Sequence, residues 1–282
     1  MLKQKTKKYL NRRCRRLEGK TVIITGANSG IGFKAAEELI FLGAKIIMAC
    51  RSLPKAQAAR TALLREYPGA EIEIRLLDLA AKASIEAFAE GLIQDKIDIY
   101  AFVGNAGIFR IKGKTAEGED LVMGTNYTGT RLLAEALLPY LESLPHEVRM
   151  TFTTSIAYIF GDRSASADGA DMSALGVYAT SKLRLTKYAF ALSEKLVRKG
   201  SNAAVFITHP GITITPIADK AFSKSFMRIA HLLGRLIMQS PERSALAIPF
   251  VLSGDAEAGN IYGPDGLFGV WGYPDKSRRR PR

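Results

Sequence analysis

Tyr178 and Lys182 stand four residues apart in Tyr178-Ala-Thr-Ser-Lys182. On a helix that spacing puts both side chains on one face, one turn apart. An ammonium beside a phenol favours the phenolate and lowers its pKa from about 10 toward neutrality. Such a pair is a proton donor and acceptor at physiological pH. The spacing alone arises by chance in many helices, so its context matters. Upstream, Thr25-Gly-Ala-Asn-Ser-Gly-Ile-Gly32 follows a short β-branched run. Gly26 lets the chain turn tightly off a strand. Gly30 and Gly32 let the backbone approach a pyrophosphate and let the next helix pack on the sheet. The free N–H groups of that helix then face the anion. An ordinary glycine-rich turn is the bland alternative, and the strand–turn–helix setting argues against it.

The elements that must carry these residues alternate along the chain. Apolar runs at 21–25, 44–49, 72–78, 97–104, 148–154 and 202–208 read as strands, and 260–262 as a last edge strand. Helical periodicity fills 30–42, 54–66, 82–96 and 119–142. It also fills the stretch from Tyr178 to Lys199, then 218–238 and 241–252, with Gly43 and Gly200 as stops. Strand and helix in unbroken alternation predict an α/β fold: a single-domain, Rossmann-like, doubly wound parallel sheet with helices on both faces. No internal repeat or linker divides it.

Composition sets the outer limits. At 282 residues and 47% hydrophobic content the chain can bury one large core. The net charge of +13 is concentrated at the ends. Residues 1–20 hold nine Lys or Arg against one Glu, and residues 275–282 hold five against one Asp, which leaves the body near neutral. The expected organisation is a basic tail at 1–18, a nucleotide-binding domain at 19–270 and a basic tail at 271–282. Blocks of like charge are usually solvated ends. Two cysteines make no disulfide framework, which fits a reducing, cytoplasmic setting. No apolar run is long enough to span a bilayer, and no apolar region follows the basic start as in a secretory signal. Leu2, Tyr9, Leu10, Cys14 and Leu17 form a weak apolar stripe among the basic residues. Loose contact with an anionic membrane surface and a merely solubilising tail are both open readings. No nucleic-acid module is visible, so no specific nucleic-acid partner is expected. Three His and two Cys, scattered, make no metal site.

Six signals occur in a fixed order: T-G-x-x-x-G-x-G at 25–32, Asn105-Ala106-Gly107, Asn126, Ser155, Tyr178-x-x-x-Lys182 and Pro210-Gly211. In this the chain resembles the short-chain dehydrogenase/reductase family over about residues 19–265. It is most similar to the retinol-dehydrogenase-like branch, which shares Cys50-Arg51 at the end of the second strand and a long gap from Ser155 to Tyr178. The resemblance implies a catalytic set of Asn126, Ser155, Tyr178 and Lys182. Family members usually carry two serines where this chain has Thr154-Ser155, and register makes Ser155 the match. It implies cofactor contacts at Gly26, Asn28, Ser29, Gly30, Ile31 and Gly32. Further contacts follow at Arg51, Ser52, Asp78, Leu79, Asn105, Ala106, Gly107, Tyr178, Lys182, Pro210, Gly211, Ile212 and Thr215. Asp78 as a helix-capping loop residue and Asn105 as a bridge holding the sheet remain alternatives. The family assigns His209 no catalytic role.

No acid ends the second strand. An acid there binds a ribose 2′-hydroxyl and repels a 2′-phosphate, whereas the Arg51 guanidinium can pair with a phosphate as a planar fork. NADP(H) is therefore expected over NAD(H). The expected activity is interconversion of a carbonyl and an alcohol on a small, lipophilic substrate. Tyr178 moves the proton, Lys182 tunes it and holds the ribose, Ser155 bonds the carbonyl oxygen and Asn126 completes a water relay. A catalytically silent dinucleotide sensor or scaffold is the alternative. The polar stretch 161–176 is expected as a surface loop. The apolar and basic stretch 217–238, with Phe222, Phe226, Met227 and Leu233, is expected as a lid or as core helix. The resemblance also implies a homo-oligomer formed through the helices at 119–142 and 174–199.

Overall fold

The computed structural model describes residues 3–162, 172–211, 239–266 and 269–276. Eight strands form one sheet in the order β3-β2-β1-β4-β5-β6-β7-β8. They are β1 Thr21–Thr25, β2 Lys45–Cys50, β3 Ile72–Leu76, β4 Ile99–Gly104, β5 Val148–Thr153, β6 Ala203–Thr208, β7 Ile261–Pro264 and β8 Pro274–Lys276. The first seven run parallel, and β8 is antiparallel to β7. The order reverses between β1 and β4. In a doubly wound sheet that is where a crevice opens at the carboxyl ends of the strands.

Alternation along the strands builds two cores. Val22, Ile24, Ile46 and Met48 face one way, toward the helices α2 Gly30–Phe41 and α3 Leu53–Glu66. Ile23, Ile47, Phe102 and Phe152 face the other way, toward α4 Lys82–Gln94, α6 Thr130–Ser143 and α7 Ala174–Lys199. Burial on both faces is what makes these strands near-continuous apolar runs. Gly200 closes α7 in the left-handed region at φ 66°, a conformation glycine adopts without a Cβ penalty.

Several elements depart from expectation. The predicted helix at 119–142 is broken. A short turn, α5 Leu121–Met123, leads into a π-helical turn at Gly124–Gly129 before α6 begins. A methyl group at Gly129 would overlap the Leu79 carbonyl, so the widened turn rests directly on the chain leaving β3. The N-terminal segment, expected as a solvated tail, forms α1 Gln4–Arg13 and docks on the body. Leu10 and Leu17 are fully buried, Tyr9 stacks on Tyr273 at 4.9 Å, and the Arg15 amide donates to the Ser253 carbonyl. Burial of Thr6, Leu10 and Leu17, with Cys14 half-buried, outweighs the mutual repulsion of the basic face. At the other end, Pro274–Lys276 joins the sheet as β8, so β7 is not the edge and the ordered body extends past 270. Two short helices, α8 Pro241–Ala245 and α9 Ala247–Ser253, replace the single helix expected at 241–252. No helix among the described residues is long and apolar enough to cross a membrane.

Candidate active site

Thr25 ends β1 and ties it to β4. Its hydroxyl donates to the Val103 carbonyl at 3.3 Å and accepts from the amides of Asn105 and Ala106 at 3.0 and 2.9 Å. The Asn105 amide donates to the Thr25 carbonyl at 3.0 Å. Asn105 therefore does bridge backbone groups and hold the sheet at the switch point. Gly26 turns the chain at φ 69°, and a methyl on Gly32 would come within 2.5 Å of both the Gly26 carbonyl and the Asn105 amide. Only glycine lets α2 start this close to the turn. The N-cap of α2, Ser29, makes no side-chain cap bond, and the first turn of α2 carries no acid. Its orphan N–H groups and positive dipole end are thus available to an anion.

A cleft of about 360 Å³ opens there. It is lined by Gly26, Asn28, Ser29, Gly30, Ile31 and Gly32 and, beyond β2, by Arg51, Ser52 and Lys55. Asp78, Leu79, Asn105, Ala106 and Gly107 continue the wall, and Tyr178, Lys182 and Pro210 close the far end. Gly211 adjoins Pro210 outside this lining, and Ile212 and Thr215 lie outside the described residues, as does the expected lid at 217–238. Most of the expected polar stretch, residues 163–171, lies outside them too. Arg51 and Lys55 have no acidic partner among the described residues. Asp78 folds on itself, its carboxylate accepting from the Ala80 amide at 3.0 Å. The cap of α4 is Ala81, without a side-chain bond, so Asp78 is not the helix cap. A glycine cradle, an uncapped helix end and two unpaired cations along one cleft fit a phosphate-bearing dinucleotide.

The chemistry-bearing residues meet where β5 ends against α7. Ser155 caps the 3-10 turn Ile156–Phe160, accepting from the Ala157 amide at 3.3 Å, and its hydroxyl bonds Tyr178. The Tyr178 ring meets Phe109 edge-on at 5.0 Å. Lys182 is 3% exposed and its Nζ donates to the Thr153 carbonyl at 2.9 Å. Burial pushes the Lys182 ammonium down to about 8. Burial also raises the Tyr178 phenol, and the bond from Ser155 offsets part of this. The expected lowering of Tyr178 by Lys182 is therefore absent in the free protein. The ammonium is turned to a carbonyl, and desolvation of the phenolate dominates. At neutral pH the phenol keeps its proton.

Asn126 is fully buried within the π turn. Its Oδ1 accepts from the Ile108 amide at 2.7 Å, and its Nδ2 donates to the Ile108 carbonyl at 3.0 Å and to Ser181 Oγ at 3.1 Å. The side chain clamps the loop after β4 to α7. A methyl on Gly107 would stand 3.3 Å from Lys182 Nζ and 3.4 Å from Asn126 Oδ1, so glycine keeps that approach open. His209 is buried against the Gly263 backbone, away from the cleft lining.

Sequence reasoning missed Lys55, whose only signal is its place inside the first turn of α3, three residues after Ser52. It also missed Thr153, which acts through a backbone carbonyl that no residue type announces.

A short chain dehydrogenase family model matches residues 20–225. The chain is 34% identical to human retinol dehydrogenase 14 over 213 residues, covering 71% of this chain and 63% of that protein. It is 34% identical to bovine retinol dehydrogenase 12 over 210 residues, covering 73% of this chain and 65% of that one. The chain thus spans less than two-thirds of the length of these relatives. Among solved structures, an uncharacterized protein from Mycobacterium paratuberculosis superposes with a TM-score of 0.72 at 27% identity, over 94% of this chain and 87% of that one. L-sorbose reductase from Gluconobacter frateurii shares the fold, with a TM-score of 0.70 at 20% identity over 87% of this chain and 95% of that one.

Proposed function

The chain belongs to the short-chain dehydrogenase family, and from that membership we propose that it is an NADP(H)-dependent oxidoreductase interconverting a carbonyl and an alcohol on a lipophilic substrate. The observation that carries this reading is a cleft lined by Tyr178 and Lys182 and by Arg51 and Lys55, with Ser155 bonded to Tyr178 just behind its wall.

The glycine turn and the α2 N-terminus would hold the pyrophosphate, Asp78 and Leu79 would flank the adenine end, and Lys182 would hold the nicotinamide ribose. The bound dinucleotide supplies or accepts the hydride. Tyr178, protonated at neutral pH, donates to the substrate oxygen in the reductive direction. The Ser155 hydroxyl donates to the same oxygen as charge develops on it. Lys182 steadies the phenolate left behind, as a buried cation does with little screening. Phe109 keeps water from one face of the phenol.

Two cations and no acid at the end of β2 favour a 2′-phosphate. Ile159, Phe160 and Leu175 are exposed on the turn after Ser155 and at the start of α7. Apolar side chains of this size, on the elements that carry Ser155 and Tyr178, suit an apolar substrate. The named relatives, retinol dehydrogenases, suit a retinoid or similar lipid.

The test is a panel of apolar aldehydes, ketones and alcohols read by NADPH and NADH absorbance. NADPH should bind at least about tenfold tighter than NADH, about 1.4 kcal/mol. Arg51→Ala should weaken NADPH and leave NADH nearly unchanged. Equal titration curves for the two cofactors in the wild type would remove the NADP(H) reading. Tight binding with no turnover on any substrate would remove the enzymatic one.

A further inference from the structure

Three consecutive residues at the end of β5 grip α7. The Thr153 carbonyl accepts from Lys182 Nζ at 2.9 Å. The Thr154 hydroxyl lies 3.2 Å from the Lys182 backbone carbonyl and 2.7 Å from the Thr186 hydroxyl. Thr186, one turn further along α7, donates to the same Lys182 carbonyl at 2.7 Å. Ser155 then reaches Tyr178, one turn back. Thr154 and Thr186 are both buried, at 2% and 0% exposure. Proton transfer itself explains the contacts of 153 and 155 but gives the 154–186 pair no role.

Each hydroxyl carries one proton. Both short distances are satisfied when Thr154 donates to Thr186 Oγ1 and Thr186 donates to the Lys182 carbonyl. The 3.2 Å contact is then a second acceptor within Thr154's reach. A threonine hydroxyl bonding the carbonyl four residues back is a local event within one helix. The Thr154 hydroxyl is different, because it joins that helical turn to the sheet.

We propose that the Thr154–Thr186 hydroxyl pair is a positioning device for Lys182. It pins the Lys182 turn of α7 to the end of β5 and so keeps the ammonium on the Thr153 carbonyl, facing the cleft. This rests on the reading of Lys182 as the residue that holds the cofactor and steadies the phenolate. Facing Lys182 are Tyr178 from its own helix, the Thr153 carbonyl from β5 and the Asn126 amide from the π turn. Burial alone sets its titration near 8, with no carboxylate acting on it. A looser turn admits water and lets that titration drift back toward the ordinary lysine value.

The experiment measures NADPH affinity of the free protein from pH 6 to 10, together with kcat, in the wild type, Thr154→Val, Thr154→Ser, Thr186→Val and Tyr178→Phe. In the wild type NADPH binding should weaken as pH rises through about 8, where Lys182 loses its charge. Thr154→Val should move that limb upward and lower kcat about tenfold, within the scale of a slight misplacement of a reacting group. Thr154→Ser keeps the hydroxyl and should stay within about twofold of wild type in both. Thr186→Val should do less than Thr154→Val, because Thr154 then donates directly to the Lys182 carbonyl. If Thr154→Val does not fold, the pair Thr154→Ala/Thr186→Ala leaves neither hydroxyl orphaned and is read the same way. An unmoved limb and unchanged kcat, with only a lower Tm, would overturn the positioning role. So would a Thr154→Ser variant that behaves like valine. Should Tyr178→Phe turn over like wild type, the reading of the site fails, and the shift of the limb still judges the positioning role separately.

Discussion

Lys182 and Glu38 are both buried, at 3% and 0% exposure, yet the fold treats them in opposite ways. Lys182 lines a cleft that it shares with Tyr178 and the glycine turn, and keeps a carbonyl partner at 2.9 Å. Glu38 sits in α2 on the far side from that chemistry, and neither of its carboxylate oxygens has a hydrogen-bond partner among the described residues. Burial first, and then the nearby Glu37 and Glu242, push its carboxyl well above the usual range, with Lys34 pulling weakly the other way. A buried charge that still meets the cleft is poised to act on whatever enters. A buried carboxyl with no partner is kept neutral and serves only as packing.

The two groups also give opposite pH dependence of stability. The folded pKa of Lys182 lies below its unfolded value. The unfolded chain therefore binds more protons between about 8 and 10.5, and Lys182 adds stability as pH rises through that window. The folded pKa of Glu38 lies above its unfolded value. The folded protein therefore holds the extra proton, and stability falls as pH climbs past the unfolded carboxylate range.

Substitutions at the two places should separate them cleanly. Tyr178→Phe keeps the ring but loses the transferable proton, so it should cut kcat by about a thousandfold or more while NADPH affinity stays near wild type. Lys182→Ala should damage kcat and NADPH affinity together. Adding it to Tyr178→Phe should cost little more in kcat, because members of one catalytic unit are not additive. Ser155→Ala should lower kcat about a hundredfold, the scale of one lost donor to a developing oxyanion. Glu38→Leu should leave kcat and NADPH affinity alone. It should raise Tm at pH 8 by about 3–8 °C, since it removes an unpartnered buried polar group worth about 1–3 kcal/mol. At pH 4 that gain should shrink, and a gain as large there as at pH 8 would break the contrast.

Much of this was readable in the residues themselves. The β-branched runs and glycine stops placed seven of the eight strands to within two residues. Thr25–Gly32 and Tyr178–Lys182 lie where their spacing says, because strand ends and helix faces follow from local period alone. What was not readable depends on distant packing. The apolar residues of α1 are diluted by seven exposed cations, Lys3, Lys5, Lys8, Arg12, Arg13, Arg15 and Arg16, so their docking was hidden. The three residues of β8 are too few to show a period. The direction of the Tyr178 shift turns on burial, which no spacing encodes. The Thr154–Thr186 contact spans 32 residues and joins two residue types that each look like ordinary core threonine.

The central claim is that this cleft moves a hydride between a dinucleotide and a carbonyl carbon under the control of Tyr178. NADPH deuterated at C4 of the nicotinamide, on the transferred face, should be incubated with the purified protein and an apolar aldehyde, and the alcohol analysed by mass. The account predicts one deuterium on the carbinol carbon with the wild-type protein and essentially no alcohol with Tyr178→Phe over the same time. Labelled alcohol formed as fast by Tyr178→Phe as by the wild type would contradict it.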